Sequence, residues 1–421
     1  MTPLPGLAAR SLWNRRVSVG LTALALAISV ALLIGVEQVR KAARASFTQT
    51  ISGTDLIVGA RTSPVQLLLY SVFHIGYASN AVSWDSYEAV AGSGLVAWTV
   101  PIALGDSHRG FRVMGTTRDL FEHYRYARTR ELRFAAGVPF DGVYEAVLGA
   151  EVAAALGYRT GSEIVISHGL DDTGFLEHGD KPFRVVGVLE RTGTPLDRSV
   201  LIPLQGIEAI HVDWQQGRPP TPGERVAADE ALARDLTPDS ITAFLVGLKS
   251  RAATFRLQRA INDYPDEALT AILPGVALAE LWTVLGVVED VLFVVAGFVV
   301  VAGILGMVAT LLTSLNERRR EMAILRAVGA RPAHVFGLFL MEAGLIGIVG
   351  AAAGFVVIEA VLWLGADAIG RHAGIHLLAP APGWREAAIA ALVVGASLLA
   401  GLLPAWQAYR RSLADGLLVR T

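Results

Sequence analysis

Hydrophobic residues run almost unbroken through residues 17–36, 291–315, 335–364 and 387–403, while polar residues are interleaved with apolar ones nearly everywhere else. A helix needs about 20 apolar residues to cross about 30 Å of hydrocarbon. The first two runs carry no charge, the third contains Glu342 and Glu359, and the fourth is shorter but uncharged. The pattern predicts four transmembrane helices, with the long stretch 37–290 between the first and second as an ordinary globular domain.

Inside that stretch the period changes. Residues 183–189 (FRVVGVL) and 199–203 (SVLIP) are short β-branched runs separated by the turn-rich Thr192-Gly193-Thr194-Pro195, as expected of strands. Residues 146–149 and 163–167 read as strands flanking a helix over 150–156, closed by Gly157. Further helices are expected at 84–91, 204–210 and 252–264, and the Gly-, Pro- and Thr-rich 215–224 as a loop. The mixture predicts an α+β domain, of two subdomains.

Positive charge orients the four spans. Arg10, Arg15 and Arg16 precede the first; Arg318, Arg319, Arg320, Arg326 and Arg331 lie between the second and third; Arg410, Arg411 and Arg420 follow the fourth. Excess arginine marks cytoplasmic flanks, so residues 1–16, 316–334 and 404–421 are expected inside, and 37–290 and 365–386 outside. A cleaved signal peptide ending near Ala43-Arg44-Ala45 is the competing account of the first run. That run is longer than a usual signal core, and the charged residues 37–44 separate it from the site.

Composition agrees with membrane insertion: 53% of residues are hydrophobic, 18% are charged and the mean hydropathy is +0.48. The net charge of −2 and the lack of a basic, aromatic-interleaved patch give no sign of a nucleic-acid partner. There is no cysteine, which excludes disulfides, thiolate catalysis and cysteine-ligated metal.

The segment 316–335, NERRREMAILRAVGARPAHV, is charged and amphipathic, and sits between two apolar runs. Asn316 is a candidate N-cap, Glu317 suits a helix start, Gly329 is placed to end the helix, and Pro332 suits the first turn of the next. Met322, Leu325 and Val328, with Ile324 alongside, form an apolar stripe, so an interfacial helix is expected.

The stretch 317–330 resembles the E-R-x-x-E-[IM]-[AG]-x-L-R-A-[LVI]-G pattern of the MacB/FtsX-like ABC-transporter permease family. The following helix, with Glu342, Gly344, Gly347, Gly350 and Gly354, is similar to that family's third span. Residues 147–153 and 183–195 resemble its periplasmic core domain, whereas residues 51–135 match less obviously. The resemblance implies an integral membrane α-helical protein with four transmembrane helices and a large α+β extracytoplasmic domain. It also implies a dimer with a second copy or a paralogue. A cytoplasmic ATPase would grip the loop between spans two and three, the coupling helix, and supply the ATP and Mg sites; no cofactor is expected in this chain. Motif matching makes Glu317, Arg318, Glu321, Met322, Leu325, Arg326 and Gly329 the ATPase-coupling residues.

Other constellations give less. No G-x-x-x-x-G-K-[ST] motif or Gly-Lys dipeptide occurs, nor G-x-S-x-G or H-E-x-x-H, so neither a nucleotide site nor a hydrolase site is expected here. Glu342 and the small residues Gly347, Gly350 and Gly354, with Ala302, Gly306, Ala391 and Gly395 on other spans, are expected to pack helices. His168, Asp171, Asp172, Glu177, His178 and Asp180 crowd one loop, and His372 and His376 another. Their spacing matches no defined metal site, and none is assigned. The expected function is a permease subunit that moves its external domain to export or extract an amphiphile such as a lipoprotein, peptide or drug, in the inner membrane. A scaffold that activates an external hydrolase and a membrane-anchored ligand sensor are the alternatives, and an extracytoplasmic protein partner is compatible with all three.

Overall fold

The computed structural model of the 421-residue chain describes residues 6, 11–168, 178–214, 224–373 and 383–414. It divides into two compact units, Met1–Ala43 with Leu285–Arg371 and Leu377–Thr421, and Arg44–Val284 with His372–His376.

The first unit is built on four long helices: α1 (Arg16–Thr50), α2 (Pro274–Glu317), α4 (Pro332–Ala373) and α5 (Trp384–Ala414), with the short α3 (Arg319–Ala327) joining α2 to α4. All four long helices contain stretches long and apolar enough to cross a membrane. Each helix outruns its apolar run: α1 continues through the charged residues 37–44, and α2 opens at Pro274 and carries Glu289 and Asp290 before its uncharged stretch. A proline in a first turn suits that start, because its missing N–H has no helical partner anyway.

The bundle is held by close approaches. A Cβ added to Gly354 would lie 2.5 Å from the Ala27 carbonyl oxygen, and one on Gly350 2.8 Å from Leu26 Cβ, so α4 and α1 meet there with no room for a side chain. Gly347 faces Ser397 of α5 in the same way, its virtual Cβ 2.8 Å from that Cβ. Small residues permit this backbone approach, and without water to drive association, packing of this kind does the work. Gly306 and Gly395, by contrast, would bring a Cβ within 4 Å of nothing, and Ala302 is exposed, so among the described residues those positions make no close helix approach.

In the second unit nine strands form one path: β1 (Leu56–Ala60), β2 (Val96–His108), β3 (Phe111–Thr116), β4 (Phe134–Gly137), β5 (Glu145–Leu148), β6 (Phe183–Leu189), β7 (Ser199–Pro203), β8 (Ala243–Leu248) and β9 (Leu269–Ile272). Their order is β9-β1-β8-β2-β3-β7-β5-β6-β4, parallel only at β3·β7 and β5·β6. The strands expected at 183–189 and 199–203, the helices at 84–91 and 150–156, and the left-handed Gly157 (φ +70°) are present.

Side chains alternate across a strand, and that alternation sorts the core. Ile57, Leu245, Val100, Met114, Leu201 and Val147 belong to one continuous buried cluster, covered by helix Pro64–Val72 and by Leu120 and Phe121. Their neighbours split into two clusters, one around Leu56, Val58, Phe244 and Val246 and one around Val113, Val200, Ile202 and Leu148. The two expected subdomains therefore exist on one face of the sheet only; the other face is a single core, and the sheet is shared. Strands with both faces covered read as apolar runs without alternation, as in β1, all five of whose residues are buried.

Candidate functional site

Helix α2 runs through Asn316 to Glu317, so Asn316 is helical rather than an N-cap, and the chain bends at Arg318 before α3 begins. The Met322 N–H donates to the Arg318 carbonyl at 3.0 Å, which starts α3 from Arg318 instead. Gly329 adopts φ +98° and ends the helix, as its position led one to expect. The Arg331 N–H donates to His334 Nδ1 at 3.0 Å across the first turn of α4.

The apolar stripe of α3 is divided between two environments. Met322 is buried among Leu315, Val335, Phe339, Ala405 and Ala408, and Leu325 is half-buried. Ile324 and Val328 are 56% and 79% exposed, beside the exposed Glu317, Arg320, Glu321 and Gly329. The side chains of Asn316, Arg319 and Arg326 lie outside the described residues.

Arg318 departs from its expected role as a surface contact. It is 7% exposed, and its Nη1 donates to both oxygens of Glu342, at 2.9 and 3.2 Å, with its guanidinium 5.3 Å from the Phe339 ring centroid. Its Nε donates to the exposed Glu321 at 2.9 Å. Glu342, fully buried, also accepts from Ser11 Oγ at 2.5 Å and from Arg15 Nη2 at 3.4 Å. One carboxylate thus ties the N-terminal segment, the α2–α3 bend and α4 together. Glu342 joins these segments through ionic and hydrogen bonds, and sequence reasoning names neither Ser11 nor Arg15 as its partners. The signal available was an intramembrane acid facing arginines at the same boundary, which calls for a pairing.

At the opposite end of the bundle the nearly buried Glu37 binds Arg40 and Arg385, and Lys41 donates to Glu386 at 2.6 Å. Gln38 donates to Glu359 at 2.8 Å.

In the second unit, His178 is buried and packs edge-on against His211, with ring centroids 5.0 Å apart, and lies beside Trp214. Lys181 and Asp213, both buried, form an ion pair at 2.9 Å, and Asp213 also accepts from the Val226 N–H. Residues 169–177, 215–223 and 374–382 lie outside the described residues, and with them Asp171, Asp172, Glu177 and His376. Among the described residues, donor atoms of Asp119, Glu122 and His123 lie within 4.8 Å of one another on a five-residue helix, with His123 stacked on Trp98.

Comparison with known proteins adds the following. Residues 19–264 match the family described as MacB-like periplasmic core domain, and residues 293–413 the family described as FtsX-like permease C-terminal. The chain is 26% identical over 179 residues to an uncharacterised ABC transporter permease of Methanocaldococcus jannaschii, covering 42% of this chain and 40% of that one. It is 28% identical over 108 residues to the ABC transporter permease YtrF of Bacillus subtilis, covering 26% and 25%. The chain therefore spans two fifths and one quarter of the length of these curated relatives. Among solved structures it is similar to the periplasmic region of MacB from Actinobacillus actinomycetemcomitans (TM-score 0.32, 10% identity, 55% of this chain and 94% of that one). It is also similar to the extracellular domain of the noncanonic ABC-type transporter YknZ from Gram-positive bacteria (TM-score 0.31, 11% identity, 52% and 99%).

Proposed function

This chain belongs to the MacB/FtsX-like family of ABC transporter permeases, and from that premise we propose that α3 is the grip by which a cytoplasmic ATPase moves it. The observation that carries this reading is the exposed face of α3. Ile324 and Val328 leave large apolar area uncovered beside Glu317, Arg320 and Glu321, which is the apolar centre and charged rim of a protein interface. Arginines there offer planar, multi-donor contacts to acidic residues. Arg326 and Leu325 belong to the same contact.

Arg318 and Met322 act differently in this reading. Both face inward, so they carry movement of α3 into α4 instead of touching the partner. The ATP and Mg are bound by the ATPase, and two permease copies, or this chain and a paralogue, work as a dimer. The termini and α3 lie in the cytoplasm and the second unit outside the inner membrane, following the arginine distribution. The work done outside moves an amphiphile such as a lipoprotein, peptide or drug.

The test is affinity purification of the tagged chain from native membranes, with Ile324→Asp/Val328→Asp compared against wild type. Wild type should recover a P-loop ATPase, and the double variant should insert normally yet lose it. Undiminished recovery by the variant, or no ATPase with wild type after cross-linking at Arg326, would sink the assignment.

A further inference from the structure

A cavity of about 300 Å³ opens at the end of the bundle opposite α3, lined by Glu37, Arg40, Glu289, Asp290, Phe293, Trp384, Arg385, Ala388 and Ile389. Its place along the helices is fixed by sequence. The uncharged run of α1 ends at Glu37, that of α2 begins after Asp290, and that of α5 begins after Glu386. The three helices thus pass from hydrocarbon to headgroups at the level of this cavity.

Its lining is divided by chemistry. The buried Glu37 accepts from Arg40 Nη2 at 2.5 Å and from Arg385 Nη1 at 3.2 Å, so one carboxylate holds two guanidiniums side by side. A guanidinium carries five N–H donors, and the Nε of Arg40 is buried with no acceptor among the described residues. The Arg385 side chain is 51% exposed. Glu289, which pairs with Arg40 Nη1 at 4.0 Å, and Asp290 add two more carboxylates to the lining. Phe293, Ala388 and Ile389 line the hydrocarbon side, and Trp384 is 77% exposed beside Arg385, where an amphipathic ring belongs at a membrane boundary.

We propose that this cavity is a binding site for a membrane phospholipid with a zwitterionic, hydrogen-bond-donating headgroup, phosphatidylethanolamine. Its phosphate meets Arg40 and Arg385, its ammonium donates to Glu289 and Asp290, and its upper acyl chain lies along Phe293 and Ile389. Charge decides the class. An anionic headgroup satisfies the arginines but faces two carboxylates, and a quaternary ammonium offers those carboxylates no N–H. The size is at the lower end of ordinary ligand pockets, which fits a headgroup and not a whole amphiphilic cargo. The site needs no coupling to an ATPase and stands apart from the role of α3.

The experiment is native mass spectrometry of the intact chain in detergent, with phosphatidylethanolamine, phosphatidylcholine and phosphatidylglycerol of matched acyl chains at equal mole ratio. Phosphatidylethanolamine should be retained about tenfold above either competitor, the factor that one hydrogen bond to a charged group supplies. Glu289→Gln/Asp290→Asn should erase the preference over phosphatidylcholine, and Arg385→Ala should lower retention of both zwitterionic lipids. Soluble glycerophosphoethanolamine at the same concentration should displace nothing; displacement would overturn the lipid as the occupant. Equal retention of all three lipids by wild type overturns the site without recourse to any variant. So does an unchanged preference in a carboxylate variant that melts like wild type.

Discussion

Replacing Glu342 by alanine removes the one acceptor that Ser11, Arg15 and Arg318 share, and the structure says how unequally they would suffer. The Arg15 side chain is 20% exposed and can recover solvent, whereas that of Arg318 is 8% exposed and keeps, among the described residues, the Phe339 ring and Glu321, whose own side chain is 64% exposed. Breaking a buried pair by removing one partner costs about 3–5 kcal/mol; with Glu321 still in place, Glu342→Ala should cost about 3 kcal/mol. Arg318→Ala should cost less, about 2 kcal/mol, because Glu342 retains Ser11 and Arg15, although the stem of Arg318 also loses its packing. Glu321→Ala touches only the exposed arm of the network and should cost under about 1 kcal/mol. The double variant Arg318→Met/Glu342→Leu leaves no charge stranded and should be more stable than Glu342→Ala alone. Equilibrium unfolding of the full chain by SDS in mixed micelles, followed by tryptophan fluorescence, gives the ranking. A Glu342→Ala variant within about 0.5 kcal/mol of wild type, the scatter of ordinary surface substitutions, would refute the reasoning. So would a double variant as destabilised as the two singles together.

Four further perturbations follow from the geometry. Gly354→Ala would put a Cβ 2.5 Å from the Ala27 carbonyl oxygen and should destabilise the α1–α4 contact by about 1–3 kcal/mol in the same unfolding assay. Gly306→Ala, with nothing within 4 Å, should be neutral or slightly stabilising. Lys181→Ala strands the buried Asp213 and should cost about 3 kcal/mol, while Lys181→Met/Asp213→Leu should recover most of it; thermal melting distinguishes the two. His74 is half-buried near Arg112 and hydrogen-bonded with Ser199 Oγ at 3.1 Å, and desolvation first, then that charge, lowers its pKa from 6.5 to about 4. A base depressed in the folded state stabilises the protein fully above pH 6.5 and loses that contribution as pH falls toward 4. The gap corresponds to roughly 3 kcal/mol. His74→Asn, which tolerates the positive φ of 55°, should remove this dependence. A wild-type chain whose stability relative to that variant is flat between pH 7 and pH 4 would contradict it.

What the sequence made legible, and what it hid, follows from the range of each interaction. The spans and the end of α3 at Gly329 depend on neighbours a few residues away: uninterrupted apolar runs need only count length, and a left-handed glycine needs only its own backbone. The inward turn of Arg318 does not. Helical spacing sets it four and seven residues before Met322 and Leu325, on their face, but an arginine in that motif reads as a surface contact, and the carboxylate it meets lies 24 residues on, past a second helix start. Ser11 and Glu342 are 331 residues apart, and no local pattern links them. The central sheet failed for a related reason. β1 is buried on both faces, so the alternation that marks a strand is absent and the run is ambiguous between strand and buried helix. The strand over 183–189 was readable because Arg184 breaks the run on an exposed position. The charged motif was therefore located from sequence while its inner contact was not: the pattern E-R-R-R-E marks a charged helix between two spans, and only the folded chain shows that one of its arginines is engaged from within. The same length that hides Arg318 from local pattern makes its pairing a mechanical link, since a bond between residues far apart in sequence obliges the bend before α3 and the body of α4 to move as one.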